Sequence, residues 1–152
     1  MEQKKYEFTG ETMDSFGTTL HRIRSLRAFS DINVGDIGGW IQKEENLSHK
    51  GEAWVYGDAR VYGEAQVCGE AWVSGNHHYW TSPQIGSRND ITTFYRSKDR
   101  RIMVVCGCCH TDIEDFARRV KETHGDNQHA RDYERAIQMA KIWIDLEGDI
   151  DE

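Results

Sequence analysis

The apolar residues follow different periods in different parts of the chain, and each period predicts a different element. In the middle the pattern repeats every six residues: AWVYGD at 53–58, ARVYGE at 59–64, AQVCGE at 65–70 and AWVSGN at 71–76. The first place is always Ala (Ala53, Ala59, Ala65, Ala71), the third always Val (Val55, Val61, Val67, Val73) and the fifth always Gly (Gly57, Gly63, Gly69, Gly75). Small and β-branched residues two apart share one face of a short strand, so both point inward, with Ala where space is tight. A Gly after each strand permits the positive φ of a tight corner, and an acid or amide follows at the solvated edge. Two looser hexads, IQKEEN at 41–46 and LSHKGE at 47–52, precede the regular four.

Three such sides make one coil of a left-handed parallel β-helix, and the stretch resembles the hexapeptide-repeat superfamily. Six hexads amount to about two coils, fewer than the three or more repeats a solenoid needs to bury a core. Trp54 and Trp72 occupy second places that should face outward, with Trp40 just before the repeat. Outward Trp on so small a solenoid predicts a covered face, under the rest of the chain or under another subunit. A homo-oligomer, trimer or hexamer, is the expectation.

Before the repeat, KKYEFTG at 4–10 and TTLHRIR at 18–24 read as strands around turns, and DIGGW at 36–40 as a turn into the hexads. After it, NHHYWTSPQ at 76–84 holds the only Pro and marks a boundary. ITTFYR at 91–96 and IMVVC at 102–106 predict a hairpin closed by SKDRR. Thr111 with Glu114 three later is a capping box; Ile113, Phe116, Ala117 and Val120 then share a helix face, and Gly125 ends it. A last helix starts near Asn127 with Ala130, Tyr133, Ile137, Ala140 and Ile144 as its stripe. The predicted class is α+β: a short left-handed parallel β-helix of hexapeptide repeats with a C-terminal β-hairpin and two α-helices. Its divisions are 1–40, N-terminal cap strands; 41–76, hexad solenoid; and 77–152, a ββαα unit.

Composition narrows the function. Of 152 residues 38% are hydrophobic, and five Trp, six Tyr and five Phe supply surface to bury, so the chain is expected to fold. No run approaches the 18 apolar residues of a membrane span, and no apolar segment follows the first residues as in a secretory leader. Cys68, Cys106, Cys108 and Cys109 lack framework spacing and read as reduced thiols, so a cytoplasmic protein is expected. The formal charge of −7 argues against long nucleic acids, which need many phosphates neutralised. Basic residues nonetheless cluster. Arg88, Arg96, Lys98, Arg100 and Arg101 face only Asp90 and Asp99 between 88 and 101, and His21, Arg22, Arg24 and Arg27 form a run without acids. A local basic site on an acidic protein suits a small phosphorylated molecule.

Cys106-Gly107-Cys108-Cys109-His110 invites a metal reading, but its ligands are crowded at one strand end with no second pair at zinc spacing. Buried thiols are the better reading, and no metal or cofactor is expected. Cys109 and His110 near a helix start, or His77-His78 as the base of a hexapeptide-type acyltransferase, are the catalytic alternatives. Neither supplies a nucleophile, base and orienting group together, so a non-enzymatic protein is expected. The anion-binding set is stronger: the Gly86-Ser87-Arg88-Asn89 loop, then Thr92 and Arg96 on one strand face with Phe94, and the N-terminus of the Thr111 helix. Phe94, Tyr95 and Phe116 are candidates to stack on a base.

KYEFTGET, GTTLHRIRSL, VGDIGGWIQKEENLSHKGEAWVYGDARVYG, GSRNDITTFYRSKD, VVCGC and THGDN together span nearly the whole chain. They resemble small phage and prophage proteins, and the C-terminal motifs resemble the anti-Thoeris sponge proteins. That resemblance implies non-catalytic sequestration of a cyclic ADP-ribose-like or cyclic oligonucleotide signal at subunit interfaces, in the host cytoplasm, against a host defence system. It points to Arg88, Phe116 and Asn127, and to Arg60 on the repeat. With Gly86, Ser87, Thr92 and Arg96 these complete the candidate ligand-binding set. A structural or partner-blocking phage protein is the other class.

Overall fold

The structure, a computed structural model, describes residues 4–106 and 109–146. The chain opens with a long antiparallel hairpin, β1 (Tyr6–Ser15) and β2 (Thr18–Ser25). Its loop is Phe16-Gly17, with φ of 51° and 85°, the left-handed pair that a two-residue hairpin turn requires. β3 (Ile37–Ile41) pairs antiparallel with β2. The hexads then supply three two-residue strands: β4 (Trp54–Val55), β5 (Arg60–Val61) and β6 (Trp72–Val73). The C-terminal part is an antiparallel sheet of β7 (Tyr79–Thr81), β8 (Thr93–Arg96), β9 (Ile102–Cys106) and β10 (Cys109–Asp112) in the order β10-β9-β8-β7. It is followed by α1 (Ile113–His124) and α2 (Gln128–Trp143).

The α+β content, the hairpin and the two helices are as expected, but the left-handed parallel β-helix is not what the hexads build. The sheets are mostly antiparallel, and the ladder of β1, β2, β3 and β5 is parallel only at its last step. Among the described residues, parallel pairing is confined to Trp40–Arg60 and Ile41–Val61, to Trp54–Trp72 and Val55–Val73, and to one bridge at Leu47–Val67. The reason is length. Each paired segment is two residues long and the repeat ends before a further layer can stack, so the N-terminal hairpin continues the sheet instead.

Within that frame the side-chain pattern behaves as its chemistry requires. All eight Ala and Val of the regular hexads are buried, and Gly57, Gly63 and Gly69 take φ of 57°, 68° and 65° at the corners. Trp54 does not face outward. It is 1% exposed, packed edge-on against Tyr6 and Phe29. The N-terminal segment covers this face, and backbone crowds it: a Cβ on Gly38 would lie 2.7 Å from the Trp54 ring.

Two apolar clusters result. One joins the hexads to Tyr6, Ile23 and Phe29 and takes Tyr95 and Val105 from the C-terminal sheet. The other fills the space between that sheet and the helices with Phe94, Val104, Phe116, Tyr133 and Ile137. Tyr95 and Phe94 go to different clusters because successive strand residues face opposite ways. No helix among the described residues is long and apolar enough to cross a membrane.

Candidate functional site

The 86–89 loop is a closed turn. Ile85 and Asp90 exchange both backbone hydrogen bonds, 3.0 and 3.1 Å, and Asn89 N–H donates to Gly86 O at 3.1 Å. Gly86 sits at φ +83° and Asn89 at +57°, left-handed positions that Gly and Asn tolerate best. Gly86 is also pressed against α2: a Cβ there would lie 2.0 Å from the Tyr133 hydroxyl oxygen. Anchored in this way, the turn carries Ser87, Arg88 and Asn89 exposed. Among the described residues the Arg88 guanidinium makes no hydrogen bond or ion pair.

Tyr133 connects the turn to the junction of the helices. Its ring meets Phe116 edge-on at 5.6 Å and stacks on His124 at 5.9 Å, and His124 lies 5.4 Å from His129. α1 ends at Gly125 with φ 64°. Asn127 N–H then donates to His124 O at 3.2 Å, and Asn127 Oδ1 caps α2 by accepting from Ala130 N–H at 3.0 Å. Gly86, Ser87, Arg88, Phe116 and Asn127 are thereby linked through Tyr133 and His124.

The remaining predicted positions belong elsewhere. Phe116 is 5% exposed and Thr92 0%, so neither reaches a ligand; Phe116 is core, and Thr92 exchanges its backbone groups with Ser82. Arg96 is wholly buried, bonded to Trp72 O, Asp145 O and His78 Nδ1. Loss of water pushes its guanidinium below the usual arginine range, and with Arg96 beside it the buried His78 falls to about 4. Arg96 therefore holds the chain together and does not bind from solvent. Arg60 lies on β5, with Nη1 3.4 Å from Ser15 Oγ. Phe94 and Tyr95, at 0% exposure, are likewise closed to stacking.

The anion site expected at the first helix is corrected by charge. The cap of α1 is Asp112, accepting from Asp115 N–H at 2.8 Å, with Glu114 and Asp115 in the first turn. Three carboxylates stand where a phosphate would dock. The first turn of α2 holds no acid. A cavity beside the 86–89 turn is lined by Glu64, Gln66, Gln84, Asp90 and Ile91, so an anion meets better electrostatics on the helix-junction side. The early basic run is absorbed by structure: Arg22 bonds Gly38 O and Gly57 O, Arg24 pairs with Glu7, and Arg27 bonds His49 O and Gly51 O.

The catalytic alternatives are placed too. His78 Nδ1 accepts from Ser74 N–H at 3.0 Å in a buried setting. His110 lies on β10, one strand before the helix, with Nε2 bonded to the Tyr95 hydroxyl and 3.9 Å from Cys68 Sγ. Burial raises the Cys68 thiol above its ordinary range, the wrong direction for a nucleophile. Of the cysteine cluster, Gly107, Cys108 and the side chain of Cys109 lie outside the described residues. Among those described, no three His, Cys, Asp or Glu side chains converge as metal ligands.

Sequence reasoning missed His124, His129 and Tyr133 as parts of this surface. Tyr133 was legible as core; the two histidines flank Gly125 and Asn127, and only the helix break brings their rings together. No protein-family model matches the chain and no curated protein matches it, so the resemblance to phage sponge proteins rests on the quoted motifs alone.

Proposed function

We propose that this chain binds a small phosphorylated nucleotide without transforming it, on the surface formed by the 86–89 turn and the α1–α2 junction. The observation that carries the reading is Arg88: exposed, unpaired among the described residues, and held on a turn closed by the Ile85–Asp90 hydrogen bonds and packed at Gly86 against Tyr133. A guanidinium with no internal partner has no ion pair to break on binding, and its fork matches phosphate oxygens. His124 and His129 offer flat, partly exposed rings at the helix junction, and the first turn of α2 offers N–H groups without competing acids. Release of the ligand intact fits sequestration of a defence signal in a host cytoplasm, as the resemblance to the phage sponge proteins implies.

The test is a thermal-shift panel of cyclic mononucleotides, cyclic oligonucleotides and cyclic ADP-ribose-type compounds, followed by recovery of the ligand from heat-denatured protein. A saturable rise in melting temperature is expected, with stabilisation of about 2.7 kcal/mol at a hundredfold excess over Kd. The recovered compound should be chemically unchanged. Steady turnover, or no response to any phosphorylated compound, contradicts the reading.

A further inference from the structure

Granted the nucleotide binding proposed for the 86–89 turn, we infer that the cavity beside that turn reads the sugar, with Asp90 accepting from the ribose hydroxyls. The cavity, of about 370 Å³, is lined by Glu64, Gln66, Gln84, Asp90 and Ile91. Three parts of the chain build it: Glu64 and Gln66 come from the hexads, Gln84 precedes the turn, and Asp90 and Ile91 follow it. The backbone of these walls is held in place. Gln66 N–H donates to Thr93 Oγ1 at 3.0 Å, between the buried Ala65 and Val67, and Asp90 exchanges both backbone bonds with Ile85. Their polar tips are not engaged. Among the described residues, the side chains of Gln66, Gln84 and Asp90 make no hydrogen bond or ion pair.

Charge decides what can fill this space. Two carboxylates repel a phosphate, so the anionic half of a nucleotide stays outside with Arg88. A metal ion finds too few ligands: Glu64 is paired with Lys43 at 3.0 Å, and no three His, Cys, Asp or Glu side chains converge among the described residues. What remains is an uncharged group rich in O–H and N–H donors, for which the Asp90 carboxylate and two amide oxygens are acceptors. A ribose diol is such a group. It presents two adjacent hydroxyls, and a single carboxylate accepts from both through its two oxygens. Gln66 and Gln84 add a donor and an acceptor each, the combination that a base edge also carries. Arg88 and Asp90 are two residues apart, so their Cα atoms lie within about 7.6 Å. One turn thus offers a cation to the phosphate and an anion to the sugar beside it.

Calorimetric titration with adenosine 5′-monophosphate and its 2′-deoxy form tests this, on the native chain and on Asp90→Asn. The native chain should bind the ribonucleotide about ten- to a hundredfold more tightly, the worth of a hydrogen bond to a charged group. Asp90→Asn should bind the two alike. Its affinity for the deoxynucleotide should stay native or rise, because a negative charge near the phosphate has gone. Its ligand-free melting temperature should not move, since backbone bonds close the turn. Equal native affinity for the two nucleotides overturns the inference, and so does a preference that survives Asp90→Asn. Both affinities falling together in the variant also overturns it, as that marks Asp90 as a support of the turn. A native chain that ignores both nucleotides at millimolar concentration, while other phosphorylated compounds raise its melting temperature, loses the sugar site and keeps the phosphate site. Failure of every phosphorylated compound removes the nucleotide reading itself.

Discussion

Arg88 and Arg96 show how differently two arginines eight residues apart are used. One stands on an exposed turn; the other is sealed beside His78 and bonded to two carbonyls. His78 titrates in the folded protein at about 4, against 6.5 for the free side chain, because burial and Arg96 disfavour its charge. Between those values the unfolded chain takes up a proton that the folded chain refuses, so stability is lost as pH falls from about 6.5 towards 4. Urea denaturation across that window should show the loss, and His78→Gln should lack this component. An unchanged slope in the variant would place the effect elsewhere. Gly86 is a second test at this scale. Gly86→Ala must accept a left-handed backbone, at about 1–3 kcal/mol of strain, and must displace Tyr133 as well. Its melting temperature should fall clearly, unlike that of Ser87→Ala on the exposed side of the same turn.

The elements divide into those specified locally and those specified at a distance. Gly125 and Asn127 act within one turn of chain, and both helix boundaries fall where these residues predict. The α1 cap moves by one residue, from Thr111 to Asp112, because the Asp112 carboxylate reaches Asp115 N–H. The inward Ala and Val of the hexads are likewise legible, since a period of six fixes which side chains share a face. What those strands pair with is a long-range matter. A β-helix and a set of small mixed sheets bury the same Ala and Val, and two-residue strands carry too little ladder to decide between them. Trp54 is the clearest instance: its neighbours are Tyr6 and Phe29, far away in sequence. Trp54→Ala should cost about 3–5 kcal/mol, the range for a buried aromatic, as urea denaturation would measure. A variant as stable as the native chain would show that the hairpin does not cover this face. The candidate site was half legible for the same reason. Its exposed turn is local sequence, whereas Thr92, Arg96 and Phe116 were drawn in by strand alternation and helix packing.

At the scale of the whole molecule, a protein of net charge −7 presents one unpaired guanidinium, among its described residues, on the 86–89 turn beside the junction of two helices. The most direct measurement is a calorimetric titration of the native chain and Arg88→Ala with the nucleotide that raises the melting temperature most, alongside the ligand-free melting curves of both. Truncating one partner of a desolvated charge pair should cost about 2–5 kcal/mol of binding, and Arg88→Lys should also bind worse. The ligand-free stability should move by no more than about 0.5 kcal/mol, as for an exposed substitution. Collapse of affinity at constant stability is the result the account predicts; unchanged affinity, or affinity and stability falling together, would contradict it.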